Sequence, residues 1–243
     1  MKTKTRRNIS RQAGAGLVAF LLVGIFWLSR PQWAPEMRIW KAFGDSAFLL
    51  LALSLVIGPM SRFSRGWARL LSWRREAGVW FALMALVHMF LILNGWARWS
   101  VAKLFGYEFV PQLGREARLE PGFGLANLIG MFAIFWALIL LATSSDRAVR
   151  FLGPPAWRWL HNGAYVIFYL GLAHAAYFLF IHFTLSFHKS PPPPDWFRIP
   201  FVLIGTIVLG LQAAAFAKTV GVHRRKASDG SVKRAKQRAS AQA

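Results

Sequence analysis

Residues 77–94 read AGVWFALMALVHMFLILN, a run whose one ionisable side chain is His88. Eighteen residues of α-helix measure roughly 27 Å, close to the ~30 Å hydrocarbon core of a bilayer. The run is bracketed by Arg74-Arg75 before it and by Trp96 and Trp99 after it. Basic residues at one end and interfacial tryptophans at the other are what a spanning helix carries.

Five further stretches follow the same rule: about 14–29, 42–60, 123–143, 161–183 and 197–217. The first is short enough for a signal-peptide core. No small-residue cleavage site follows it, because Trp27-Leu28-Ser29-Arg30 is bulky and charged, so an uncleaved helix is expected. Trp33, Trp40, Trp67, Trp73, Trp157, Trp159 and Trp196 complete the aromatic flanks.

The whole chain agrees. Its 243 residues are 56% hydrophobic and 16% charged, with 15% aromatic residues and a mean hydropathy of +0.39. A soluble domain is about 45–50% apolar and about 25% charged. The net charge of +21 therefore does not indicate nucleic acid. Of the 30 Lys and Arg residues, 21 lie in the N-terminal segment, the 61–76 and 144–158 loops and the tail from Lys218. These are alternate connections, so both termini are expected in the cytoplasm. With no cysteine, disulfides, Fe–S clusters and thiol nucleophiles are excluded, and imidazole is left as the main ligand type for a metal.

The expected architecture is an all-α membrane protein, a bundle of six transmembrane helices. Residues 1–13 form a basic cytoplasmic start, and 14–41 the first helix and an outside loop. A four-helix core occupies 42–183, a Pro-rich outside loop 184–196, the sixth helix 197–217, and an unordered basic tail 218–243, suited to anionic lipid. No internal repeat is apparent. Gly122-Phe123-Gly124 has no strand before it, so no nicotinamide or flavin domain is expected.

Six histidines are present. His188 falls in a loop and His223 in the tail. His88 lies in the third span, and His161, His174 and His182 lie along the fifth. Ionisable groups inside a span are costly and read as functional by default. His88 lies roughly 17 Å into its span, and His174 lies about 20 Å beyond His161, so His88 and His174 share a depth. Arg74, fourteen residues before His88, shares its face within about 40°, whereas His161 and His174 do not share one. His182 is either an alternative outer ligand or an interfacial residue. Asp45 is expected to cap a helix, and Met84, Met89 and Met131 to pack. Gly130, Gly163, Gly171, Gly205 and Gly210 would let helices or a flat ligand approach closely.

Arg74-Arg75-x-x-Gly78, Leu86-Val87-His88, Trp159-Leu160-His161-Asn162-x-x-Tyr165 and His174 together resemble the ferric reductase-like transmembrane domain. That family includes ferric reductases, NADPH oxidases and bacterial MsrQ subunits. Gly44-Asp45-Ser46-Ala47 and Gly58-Pro59-x-x-Arg62 fit its preceding helix. The resemblance covers roughly 42–183. It implies b-type haem, one or two, and electron transfer across an inner membrane. His88 and His174 would ligate the iron of an outer haem and His161 that of an inner one. Arg74 stands where two-haem oxidases have histidine, and would ligate weakly, pair with a propionate or follow the basic-inside pattern, the last two being favoured. Glu120-Pro121-Gly122-Phe123 departs from the Arg-Pro-Tyr of MsrQ-like chains. The implied donor is a cytoplasmic flavin reductase, and FMN is a further candidate cofactor. The implied acceptor is an external reductase, a metal ion or a quinone. The competing expectation is a non-redox transporter or assembly scaffold with proton-carrying or structural histidines, disfavoured by the scarcity of intramembrane acids.

Overall fold

The computed structural model describes residues 2–118, 120–182 and 193–240. The Pro191–Pro192 part of the loop, His188 and Lys189 lie outside them. The helices are α1 (Lys2–Leu28), α2 (Pro35–Met60), α3 (Arg65–Ala68), α4 (Arg74–Asn94), α5 (Val101–Leu104), α6 (Pro121–Ala142), α7 (Asp146–Leu152), α8 (Pro154–His161), α9 (Gly163–Ala176) and α10 (Arg198–Ser240). A π-helical segment, Tyr177–His182, continues α9. Among the described residues, six helices are long and apolar enough to cross a membrane, with α3 joined to α4 and α8 to α9. The outside loop expected between the third and fourth spans holds a small antiparallel hairpin, β1 (Tyr107–Val110) and β2 (Arg115–Arg118).

Proline sets the entry of several helices. Pro35 and Pro121 occupy the first turns of α2 and α6, where a missing N–H costs nothing. At the other end of the chain, α10 passes through the basic tail as one helix to Ser240. This differs from the unordered tail expected. Residues 218–240 contain no proline and many Ala, Lys, Arg and Gln, all strong helix formers.

Four helices form a ring in the order α2, α4, α6, α9, each packed on the next and α9 closing on α2. Helix α1 lies against α2 and α4, and α10 against α2. Leu50, Leu51, Leu55, Phe81, Met84, Ala133, Ala137, Ile167 and Phe168 fill the interior. Phe20, Leu21, Phe132, Phe135, Ile199 and Leu203 point outward. Apolar side chains on the outside suit a lipid environment, where the backbone polar groups are all satisfied inside each helix.

The ring is built twice. Pro35 and Pro121, Gly44 and Gly130, and His88 and His174 each differ by 86 in residue number. The pair α2/α4 therefore corresponds in sequence position to α6/α9. This corrects the expectation of no internal repeat: a few identical residues at a constant offset carry it, and most other positions have diverged.

Charge locks the two outer helices to the ring. Arg30, just after α1, is fully buried. Its Nη2 lies 2.6 Å from Asp45 Oδ2 and 3.0 Å from Asp195 Oδ1, and Nε donates to Asp195 Oδ1 at 3.2 Å. Lys41 Nζ meets Asp195 Oδ2 at 2.7 Å. Asp45 is thus an interior partner for Arg30, ten residues into α2, rather than the cap expected. Burial alone would push the Asp195 carboxyl up, but Lys41 and Arg30 override it and hold it below the usual carboxylate range.

Arg30→Met leaves two buried carboxylates without their shared cation, and we expect a loss of about 3–5 kcal/mol in detergent unfolding. For Asp195 the lowered value means that its stabilisation is complete at neutral pH and is lost as pH falls below about 4. Asp195→Asn should flatten that acid limb of the unfolding profile.

Candidate functional site

His88 on α4 and His174 on α9 occupy opposite corners of the ring and line one cavity of about 290 Å³ between them. The two residues hold equivalent positions in the repeat.

Each imidazole is held the same way. His88 Nδ1 lies 2.8 Å from the carbonyl oxygen of Trp40, and His174 Nδ1 lies 2.8 Å from that of Ala126. In both cases the partner is 48 residues earlier. A carbonyl only accepts, so each Nδ1 carries the proton and donates it. That fixes the tautomer and leaves a lone pair on each Nε2, as in a histidine that binds metal with an outer-shell carbonyl behind it.

Glycine makes the approach feasible. Gly44 and Gly130 lie one helical turn after Trp40 and Ala126, beside the accepting carbonyls. A Cβ on Gly44 would stand 3.1 Å from the His88 ring, and one on Gly130 would stand 2.7 Å from His174 Nδ1. Gly130 was among the glycines expected to allow close approach. Trp40, Gly44 and Ala126 were not singled out as site residues, and the available signal was the 86-residue offset.

The rest of the wall is mainly apolar and paired by the repeat: Ala47 with Ala133, Phe48 with Ile134, Phe81 with Ile167, Ala85 with Gly171. Met89 and Met131 also line it, while Met84 is buried in the core. The pairing breaks at Lys41 against Asn127 and at Asp45 against Met131. Lys41 is the lining's one Lys or Arg among the described residues. Among these residues no cluster of three or more His, Cys, Asp or Glu could hold a metal alone. Two facing imidazoles in an apolar slot suit a metal whose remaining ligands come from a flat macrocycle.

The other two residues expected at a haem are elsewhere. Arg74 donates from Nε to the Ser54 carbonyl at 2.9 Å and packs its guanidinium on Gly58 of α2. His161 ends α8, stacks on Trp157 at 4.0 Å, and places Nε2 3.1 Å from Thr143 Oγ1. Neither lines the cavity. The positional mate of His161 is Arg75, not Arg74. Arg75 binds the Ser144 carbonyl and Asp146 at 2.6 Å each, so it and His161 converge on the end of α6. His182 does line the cavity, at its far end from the α8 side. His223 lies in α10.

Comparison with known proteins agrees with this geometry. The profile of the ferric reductase like transmembrane component matches residues 15–172. The chain belongs to the ferric reductase-like transmembrane family. The match takes in α1, which the sequence resemblance had left out, and stops just before His174. The chain is also similar to the protein-methionine-sulfoxide reductase heme-binding subunit MsrQ of Herminiimonas arsenicoxydans, 31% identical over 161 residues, 66% of this chain and 67% of that protein. In this ferric reductase-like chain, then, the paired imidazoles sit inside the family region or at its edge.

The close contacts give a graded expectation. Gly130→Ala forces the His174 ring to move and should cost about 1–3 kcal/mol in detergent unfolding, in line with overpacking of a filled core. Gly44→Ala, with the looser contact, should cost less. Equal effects of the two substitutions would contradict the geometry.

Proposed function

We propose that this chain is the haem-binding membrane subunit of an electron-transfer system, with one b-type haem held between His88 and His174. The observation that carries this reading is the pair of imidazoles across the ring, each with Nδ1–H committed to a carbonyl, its Nε2 lone pair left uncommitted by that bond, and the residue lining a shared, mainly apolar cavity. The donor set and the flat, glycine-relieved walls fit the group. The similarity to a subunit named for heme binding supports it.

When bound, the haem supplies one-electron iron chemistry between ferric and ferrous states. The residues of the chain do the rest. Trp40 and Ala126 hold both imidazoles at fixed orientation through their carbonyls, so little rearrangement accompanies a change of charge. The apolar lining keeps water away and sets a low dielectric. Lys41, already next to Asp195, offers the cavity's counter-charge for a haem carboxylate. His161 and Arg74 are helix-packing groups in this reading, not iron ligands.

The basic bias of alternate connections supports a topology with the Arg75–His161 end on the cytoplasmic side of an inner membrane. Electrons then enter there from a flavin reductase. They leave at the hairpin end to an external acceptor, for which a methionine sulfoxide reductase is the partner favoured by the named relative.

Haem stoichiometry by pyridine hemochrome tests this directly. The purified wild type should carry one haem per chain, and His88→Ala and His174→Ala should each lose nearly all of it. His161→Ala and Arg74→Ala should keep it. Two haems in the wild type, falling to one in His161→Ala, would establish a second, inner site. A colourless protein from haem-replete cells would remove the redox reading altogether.

A further inference from the structure

The two halves of the ring differ most at their outer ends. Glu120 caps the start of α6, and the carboxylate joins two side chains of the π-helical segment. Tyr177 donates its hydroxyl to Glu120 Oε1. His182 Nδ1 lies 2.8 Å from Glu120 Oε2. The His182 and Glu120 side chains are only 15% and 16% exposed.

The other half dispenses with all three. The residues 86 positions earlier are Ala34, Leu91 and Trp96. Ala34 caps α2 as Glu120 caps α6, and α4 runs as ordinary α-helix past Leu91 to Asn94. The architecture therefore closes at this end with apolar residues and without a π segment. π-segments interrupt α-helices mostly at functional sites. Here the wider turn places Tyr177 and His182 on the same carboxylate, five residues apart in sequence.

The cluster also touches the haem cavity. His182 lines it together with His88 and His174. Phe178 stands between the two histidines of its helix, with ring centroids 5.0 Å from His174 and 5.5 Å from His182. Phe123 of α6 packs on His182 at 5.1 Å and on Trp96 at 4.8 Å. Among the described residues, the charged and titratable groups around His182 include Glu120 ahead of α6, Tyr177 on its own segment, and Arg118 at the end of β2, whose charge acts on Tyr177. The neighbours from α6 and from the turn after α4 are apolar.

We propose that the Glu120–His182 pair, braced by Tyr177, is a proton-binding site coupled to the electron on the haem. This rests on the haem reading above. An electron added inside an apolar cavity leaves an uncompensated negative charge, and a protonatable pair on the same cavity lowers that cost by taking up a proton. For each electron received from a one-electron donor, the pair binds one proton from water on the hairpin side. Both depart when the external acceptor is reduced. Coupling is reciprocal, so the protonated pair favours the reduced state by the same amount. Glu120 and His182 are positioning residues here, acting on the haem through charge.

Potentiometric titration of the purified holoprotein at several pH values tests it, with the haem spectrum as readout. The wild-type midpoint should fall as pH rises, by up to about 59 mV for each tenfold drop in proton concentration, the limit for one proton per electron. His182→Gln and Glu120→Gln should each flatten this dependence while keeping wild-type haem content and spectrum. Tyr177→Phe should keep most of the slope. A haem-replete wild type whose midpoint does not move with pH overturns the inference and leaves the haem reading intact. So does an unchanged slope in both variants. Loss of the haem in His182→Gln overturns it too, by making His182 a ligand. A protein that binds no haem ends both proposals together.

Discussion

Two hydrogen bonds organise this molecule: the Nδ1–H of His88 to the carbonyl of Trp40, and that of His174 to the carbonyl of Ala126. An imidazole inside a membrane must have its N–H satisfied, and water is not there to do it. A helix carbonyl can accept a second bond only if the imidazole comes close. Gly44 and Gly130 supply the missing Cβ. The consequence runs outward: α2 must lie on α4, α6 must lie on α9, and the two histidines line one shared cavity.

Duplication explains why the two histidines are held alike: equivalent positions on equivalent helix pairs meet equivalent carbonyls. The same symmetry shows where function departs from architecture. Lys41 and Asp45 appear on one half, opposite Asn127 and Met131, and Glu120, Tyr177 and His182 appear on the other. Leu50, Leu55, Ala137 and Phe168 are buried in the core of the bundle. The basic and hydroxyl groups near it, Arg74, Arg75, His161 and Thr143, are spent on helix ends.

The buried charges follow the same economy of partners. Arg30, Lys41, Asp45 and Asp195 come from the α1–α2 turn, α2 and the approach to α10, and none is left facing lipid. Each carboxylate has a cation beside it, as a low-dielectric interior favours.

The sequence by itself determined the number of spans, their rough limits and the basic bias of alternate connections, and it singled out His88 and His174, which line one cavity. Hydropathy and rise per residue are local quantities, readable one helix at a time. It did not disclose the pairing of Arg30 with residues 15 and 165 positions away, the contact of His161 with Thr143, or the cluster on Glu120, and the repeat became legible only once the helix contacts pointed to the offset. Those depend on which helix lies beside which and on the rotation of each about its axis. Thirteen residues along an ideal helix put His161 and His174 on different faces, yet nothing in that spacing says that His161 meets Thr143. The break after α8, the π turn after α9 and the glycine contacts are set by packing between distant segments, and only the tertiary structure decides them.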